Sequence, residues 1–395
     1  MSEQLFQMQT FTNGSILAIE GGRKGDHFHI ITEGQVVLRK RNPVSGEDAT
    51  QHLGKGDFFG IITAMTGFPH LETATAASGL VSVISVHRDR FADLIRRNTP
   101  LAMKIIRSYS LRLRQLDSIL HDKNDKKSSD PIQEMIRIAD GTLDLGNKEL
   151  AGYMFQSCLE SYPEGGHRAK CIAKLNYLNK TESRTAKTGS MRTYDKGEII
   201  FCEGEIAKEL YIVQAGRVQI IKYSNGKEII VNNLKDGDIF GEMALLDNKP
   251  RYASAIPLEL SNIIIISKDN FSTITETNPG LMAKVITVLS ERVWVSHKKA
   301  VNSKITDPAY RFADMLMILA EQSKVRIAPR VGHNYKLSPE DLLHSMGLGD
   351  TDVPNLIRFI KSHTFITNDG KTITCTDMSL LELAVKGFKD KYTKY

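Results

Sequence analysis

FGEMALLDNKPRYASA, residues 240–255, is the stretch on which the reading of this chain turns. Gly241 lets backbone come close to a ligand. Glu242-Met243-Ala244 opens a short helical turn, and the free N–H groups at a helix start attract an anion. Ten residues after Gly241 stands Arg251, whose planar fork suits two phosphate oxygens. Glu242 adds a carboxylate placed to accept hydrogen bonds from a ribose hydroxyl. Ala253 and Ser254 are small and leave room. A donor cluster, a cation and a sugar acceptor thus fall within sixteen residues.

Outward from this stretch the chain repeats itself. DFFG at 57–60 matches DIFG at 238–241, and Gly34-Gln-Val matches Gly216-Arg-Val. FADLIRRNTPLAMKII at 91–106 matches FSTITETNPGLMAKVI at 271–286. The offsets are 182, 181 and 180, so two copies of one domain are expected at 1–121 and 190–304. In the second copy GEIIF (197–201), 209–223, 227–234 and 261–267 read as short strands, rich in β-branched residues and bounded by turn residues. Residues 268–277 and 281–303 read as a short and a long helix. Each copy is therefore expected to be a jelly-roll-like β-roll closed by helices.

The first copy departs at the decisive point. After Phe59-Gly60 it reads IITAMTGFPHLETATA, with Ile61 in place of Glu242 and Glu72 expected where the arginine would be, in a stretch two residues longer. A carboxylate facing an anion repels it, so this copy is expected to be ligand-free.

The rest of the chain bounds the function. Residues 122–130 and 181–190 are polar linkers around a helical spacer, with 122–189 taken together as one segment. Ala139, Ala151, Phe155 and Pro163 there resemble one tetratricopeptide-like helical hairpin. The 395 residues carry a net charge of +6, spread as +3, +1, +1 and +1 over 1–130, 131–190, 191–304 and 305–395. No uninterrupted apolar run approaches the ~18 residues of a membrane span, and no signal-peptide pattern opens the chain. Cys158, Cys171, Cys202 and Cys375 show no CxxC spacing, so free thiols in a reducing cytoplasm are expected and no metal. No nucleophile–base pairing is evident, so an enzyme is not expected.

Residues 240–255 resemble the phosphate-binding cassette of cyclic nucleotide-binding domains. The resemblance implies a cyclic mononucleotide, cAMP or cGMP, with phosphate on Arg251, ribose on Glu242, and Gly241, Met243, Ala244, Tyr252, Ala253 and Ser254 around them. Tyr252 stands where relatives have a smaller residue, so base selectivity stays open. From 190 to about 376 the order of β-roll, long helix and helix–turn–helix with wing resembles the cyclic-AMP receptor protein / fumarate-nitrate regulator family. By that analogy a residue of the long helix caps the purine, with Trp294, Ser296 and His297 as candidates. The family also dimerises through this helix. Met282, Ile286, Leu289, Val293, Ser296 and Ala300 keep a heptad spacing, as do Ile106, Tyr109, Leu113, Leu116 and Leu120. A homodimer or an intramolecular pseudo-dimer follows.

The fold class expected is α+β: two cyclic nucleotide-binding β-rolls with long C-terminal helices, a helical spacer, and a C-terminal winged-helix domain at 305–395. Helices are expected at 339–346 and 352–363, and a hairpin within 364–376. The resemblance puts Asp350, Thr351 and Asn355 at the base-reading positions of the recognition helix, and Asp352 adds a second negative charge beside Asp350; carboxylates there oppose DNA. Asn355, Arg358 and Lys361 are the candidate DNA contacts. The leading expectation is a cyclic-nucleotide sensor whose winged helix or spacer meets a protein partner. The alternatives are a DNA-binding transcriptional regulator and a non-signalling scaffold.

Overall fold

The chain is described by a computed structural model in all residues except 1–5, 23–24, 42–47, 122–127, 129, 184–188, 207–208, 225, 242–249, 268–269 and 393–395. It forms two compact units, Met1–Phe91 with Ser290–Tyr395, and Ala92–Leu289.

The first unit opens with a β-roll of β1 (Gln7–Thr12), β2 (Ile16–Ala18), β3 (His27–Glu33), β4 (Val36–Arg41), β5 (Asp48–Leu53), β6 (Phe58–Phe59), β7 (Thr73–Ala76) and β8 (Leu80–His87). Its sheets run β1-β8-β3-β6 and β2-β7-β4-β5. Ile31, Val36, Phe59, Ala74, Val81 and Val83 fill the space between them. Helix α1 (Ile61–Thr66) interrupts the roll; α2 (Phe91–Arg97) follows it and belongs from Ala92 onward to the second unit.

The second unit contains α3 (Thr99–His121), then α4 (Pro131–Asp144), α5 (Lys148–Ser161) and α6 (His167–Tyr177). A second roll follows: β9 (Met191–Tyr194), β10 (Glu209–Ala215), β11 (Val218–Ser224), β12 (Lys227–Leu234), β13 (Ile239–Phe240), β14 (Ser254–Pro257) and β15 (Ser261–Ser267). Its sheets run β13-β10-β15-β9 and β12-β11-β14. Helices α7 (Phe271–Thr277) and α8 (Pro279–Asn302) come next, and the division between units falls inside α8. The Gly-x-Val repeat has a steric cause. Gly34 and Gly216 have φ of +82° and +104°, and a Cβ on either would collide with the backbone carbonyl of Leu80 or Leu260.

The spacer holds three helices where two were expected. Asp130 and Asn147 cap α4 and α5, each accepting a backbone N–H. Ala139, Ala151 and Phe155 are buried, whereas Pro163 is exposed in the turn before α6. The helices pack on the second roll through Cys158, Cys171, Cys202 and Ile221. All four cysteines are buried and none is in a disulfide. Residues 197–201 form no strand: Phe201 makes one isolated bridge to Ala255.

The first unit ends in α9 (Pro308–Gln322), β16 (His333–Asn334), α10 (Pro339–Ser345), α11 (Val353–Ser362), β17 (Ile366–Asn368), β18 (Ile373–Cys375) and α12 (Met378–Tyr392). The three strands pair in the order β16-β18-β17. Ser338 and Asp341 form a reciprocal capping box at α10. Helix α12 lies beyond the expected elements. Its Leu381, Val385 and Phe388 pack on the α9–α11 core, and Phe388 stacks on Tyr310 at 5.6 Å. Asn302, at the end of α8, donates to Arg311 O at 2.8 Å and to the half-buried Asp314 carboxylate at 3.0 Å. Burial raises the Asp314 pKa above the usual carboxylate range.

Candidate functional site

Arg251 is the centre of the second roll's site. Pro250 precedes it, and its backbone is pinned by two bonds, Arg251 N to Glu205 O at 2.9 Å and Gly204 N to Arg251 O at 2.9 Å. Its side chain lies inside the roll, only 5% exposed. Nη1 donates to Gly241 O at 2.6 Å, and Nη2 donates to Glu209 O at 2.8 Å and Tyr211 Oη at 3.3 Å. The guanidinium lies 4.1 Å from the Phe201 ring centroid and 5.1 Å from that of Tyr211. Nε is buried and has no hydrogen-bond partner among the described residues. A cation inside the roll with an unmatched donor is suited to an anionic oxygen.

The surroundings hold this cation in place. Glu209 takes a bidentate contact from Arg192 at 2.9 and 3.2 Å and accepts from Tyr211 Oη at 3.0 Å. Tyr211 stacks between Phe201 and Phe240, at 5.4 and 5.2 Å, and burial pushes its phenol pKa up. Gly241 has φ of +77°, and a Cβ there would sit 2.5 Å from Arg251 Nη1 and 2.9 Å from the Tyr211 ring. Glycine is required both by conformation and by the arginine's approach. Phe201, Glu209 and Tyr211 were not singled out from sequence, because their role appears only when β10 and the bridge at Phe201 come together around Arg251. Glu242, Met243 and Ala244 lie outside the described residues.

A second buried charge pair stands beside the site. Lys222 Nζ lies 3.1 Å from Glu203 Oε1, 3.3 Å from Tyr252 O and 3.7 Å from the centre of the Tyr252 ring. Glu203 Oε2 accepts Tyr223 N, and Glu203 N donates to Ser254 Oγ. Ser254 is therefore engaged in the frame, and Tyr252 underlies an ammonium. Ala253 is buried.

The first roll carries a different set of residues at the same positions. His70 N bonds Gly22 O at 3.0 Å and Gly21 N bonds His70 O at 2.8 Å, repeating the Arg251 pattern. His29 pairs with Phe59 as Tyr211 pairs with Phe240. His70, not Glu72, therefore holds the arginine's place, and this stretch is no longer than its counterpart: Gly60 and His70 are ten apart, as are Gly241 and Arg251. A cavity of about 310 Å³ lies there, lined among others by Gln7, Asp26, His27, His29 and His70. Asp26 accepts from or pairs with His27 Nδ1 at 2.6 Å. His29 is held to about 4 by burial and by the neighbouring imidazoles.

The remaining candidates are spread over the first unit. Trp294 is fully buried, and its indole N–H donates to Pro69 O at 3.0 Å, so it is not available as a purine cap. His297 is buried with Nδ1 3.4 Å from Lys40 Nζ, and Ser296 is half-buried. On α11, Arg358 and Lys361 are exposed and Asn355 is half-buried, opposite the buried Leu356, Phe359 and Ile360. Pro354 falls in the helix's first turn. Among the described residues no cluster could hold a metal, and no helix is long and apolar enough to cross a membrane.

A family model described as the cyclic nucleotide-binding domain matches residues 8–98 and 191–278. The cAMP-activated global transcriptional regulator CRP of Salmonella typhimurium is 25% identical over 182 residues, 46% of this chain and 86% of the relative. The CRP-like cAMP-activated global transcriptional regulator of Mycobacterium tuberculosis is 23% identical over 189 residues, 48% of this chain and 84% of the relative. Among solved structures, the regulatory domain of Toxoplasma gondii PKA with cAMP aligns at 18% identity and a TM-score of 0.22. It covers 71% of this chain and 85% of that one. A superposition that loose carries no argument.

Proposed function

We propose, from the premise that this chain carries two cyclic nucleotide-binding domains, that only the second is a nucleotide sensor. It binds a cyclic mononucleotide, cAMP in the first instance, and relays binding along α8 to a winged-helix domain at 305–395. The phosphate sits on Arg251 and on the backbone N–H groups that follow Gly241, and the ribose hydroxyl on Glu242. The buried Nε of Arg251, which has no partner among the described residues, carries this reading, because an oxyanion would meet that demand. The relatives' names support cAMP as ligand. The reading has four parts: a degenerate copy at 1–121, a linker and spacer at 122–189, the sensor at 190–304 and the winged helix. It places the protein in the cytoplasm and assigns it no catalysis. A relay needs unequal affinity of the ligand for two states, since equal binding shifts nothing.

Calorimetry with cAMP and cGMP on wild type and Arg251→Ala tests the site. The variant is expected to lose about 1.5–3 kcal/mol, roughly 10–150-fold in affinity. Unchanged affinity would overturn the assignment.

A DNA-binding regulator is the second reading. It is favoured by the relatives' names and by Arg358 and Lys361 on the outer face of α11. Opposed to it are the carboxylates of Asp350 and Asp352 at that helix's start. We favour a protein partner.

A further inference from the structure

In the first roll the stretch equivalent to the nucleotide cassette has changed its chemistry. Ile61 replaces the glutamate, His70 replaces the arginine, and Phe68 and Leu71 present apolar side chains between and beyond them. Something already occupies the face they make. Trp294 of α8 is fully buried there, in one cluster with Phe68, Leu71 and Ile318 of α9. Its ring centre lies 4.6 Å from that of Phe68, tilted by 41°. Lys298 lies 5.3 Å from the Trp294 ring and Lys324 5.7 Å from the Phe68 ring, so ammonium groups flank the aromatic pair.

The receiving loop is held in shape by its own bonds. Thr66 Oγ1 donates to Ile62 O at 2.6 Å and accepts Phe68 N at 3.0 Å. Gly67, at φ of +75°, makes the left-handed turn that ends α1. These fix Phe68 and leave Pro69 O aimed at the indole N–H. Apolar walls with one acceptor matched to one donor make a site selective for an indole over a plain aromatic ring.

We propose that the first roll is a receptor for α8, with the indole of Trp294 as its built-in ligand. The stretch equivalent to the cassette packs on a residue of its own chain, on a face apart from the cavity lined by His29 and His70. It thereby anchors the C-terminal part of α8, and Ile318 of α9 with it, to the first roll. This goes beyond the nucleotide reading and does not depend on it.

The test uses the full chain with Trp294→Gly and free indole as the probe. The variant is expected to melt below wild type, and millimolar indole to restore several degrees to the variant alone. Indene, the same shape without the N–H, is expected to restore less. A variant that melts like wild type, or that indole does not raise above its effect on wild type, overturns the proposal. Should Trp294→Gly fail to fold, fluorescence of the wild type decides, since Trp294 is the single tryptophan. The emission is expected to be blue-shifted and shielded from acrylamide, and Phe68→Ala to raise quenching several-fold. Free quenching in wild type, or unchanged quenching in a folded Phe68→Ala, overturns it. Neither readout involves a nucleotide, so its failure is separate from a failure of the Arg251 assignment.

Discussion

Arg251 and His70 stand at one backbone position in two copies of a fold, and one physical difference separates them. A guanidinium carries its charge at every accessible pH, whereas an imidazole is largely neutral above its pKa. His70 spends Nδ1 on Thr63 Oγ1, at 3.1 Å, and lies in a cavity with His27, His29 and the Asp26 carboxylate. His29 makes the pH behaviour measurable. Its folded pKa of about 4 lies below the ordinary 6.5, so the unfolded chain takes up the proton first as pH falls. Its contribution is complete above about pH 6.5 and is lost on the way down to pH 4, on the order of 2–3 kcal/mol. Urea unfolding at pH 7 and pH 4.5 should show this loss in wild type and a smaller one in His29→Phe, whose ring keeps the stack on Phe59. Equal losses in both would refute the assignment. At this scale the Gly241–Arg251 spacing was legible because it is local. Glu72 was put at the arginine's place although His70, ten residues after Gly60, keeps the spacing of Gly241 and Arg251. Trp294 was read as a purine-cap candidate, and its partners Phe68 and Pro69 were not legible because they lie far back in the chain.

Among the elements, the helices were the most readable, since their signals are carried by adjacent residues. Asp130-Pro131, Asp307-Pro308 and Ser338-Pro339 each place a capping side chain before a proline in the first turn. Strands 227–234 and 261–267 fall where the β-branched runs predicted them. GEIIF touches β14 through Gly197 N to Pro257 O, Ile200 N to Ala255 O and Ala255 N to Phe201 O, but these bonds make one isolated bridge and no continuous ladder. The seat of α4 on β11 rests on a residue no propensity scale would favour. Gly141 lies mid-helix, and a Cβ there would run into the Tyr223 ring, which Arg137 covers at 5.6 Å. Gly141→Ala should gain about 1 kcal/mol in helix propensity and lose about 1–3 kcal/mol to overpacking. The net expectation is a lower melting temperature. In a Tyr223→Ala background the same substitution should raise it, and a rise in both backgrounds would show that the close approach is not limiting.

For the whole molecule, charge separates the two readings of the C-terminal domain. Residues 305–395 carry 12 basic and 11 acidic residues. Duplex binding draws most of its free energy from neutralised phosphates, and its affinity falls steeply with salt. Gel-shift titrations against genomic fragments at low salt, with and without cAMP, should show no retarded complex. A complex that weakens steeply between 50 and 200 mM salt, on the order of a thousandfold, would establish the DNA-binding reading instead. The duplicated rolls were legible at this scale because their offset is nearly constant. The grouping into units was not, since the contacts that join residues 1–91 to 290–395 are distant in sequence.

That grouping has a consequence for how the protein is made. A ribosome delivers residues in order, so the first roll emerges well before the tryptophan that fills it. Phe68 and Leu71 stay uncovered while the spacer and the entire second roll are synthesised. At roughly 5–20 residues per second this interval lasts on the order of tens of seconds. The continuous stretch from Ala92 to Leu289 can meanwhile close on itself. During that interval the nascent chain presents an apolar face to chaperones and to neighbouring chains on the same message. The roll that leaves the ribosome earlier is the one completed later.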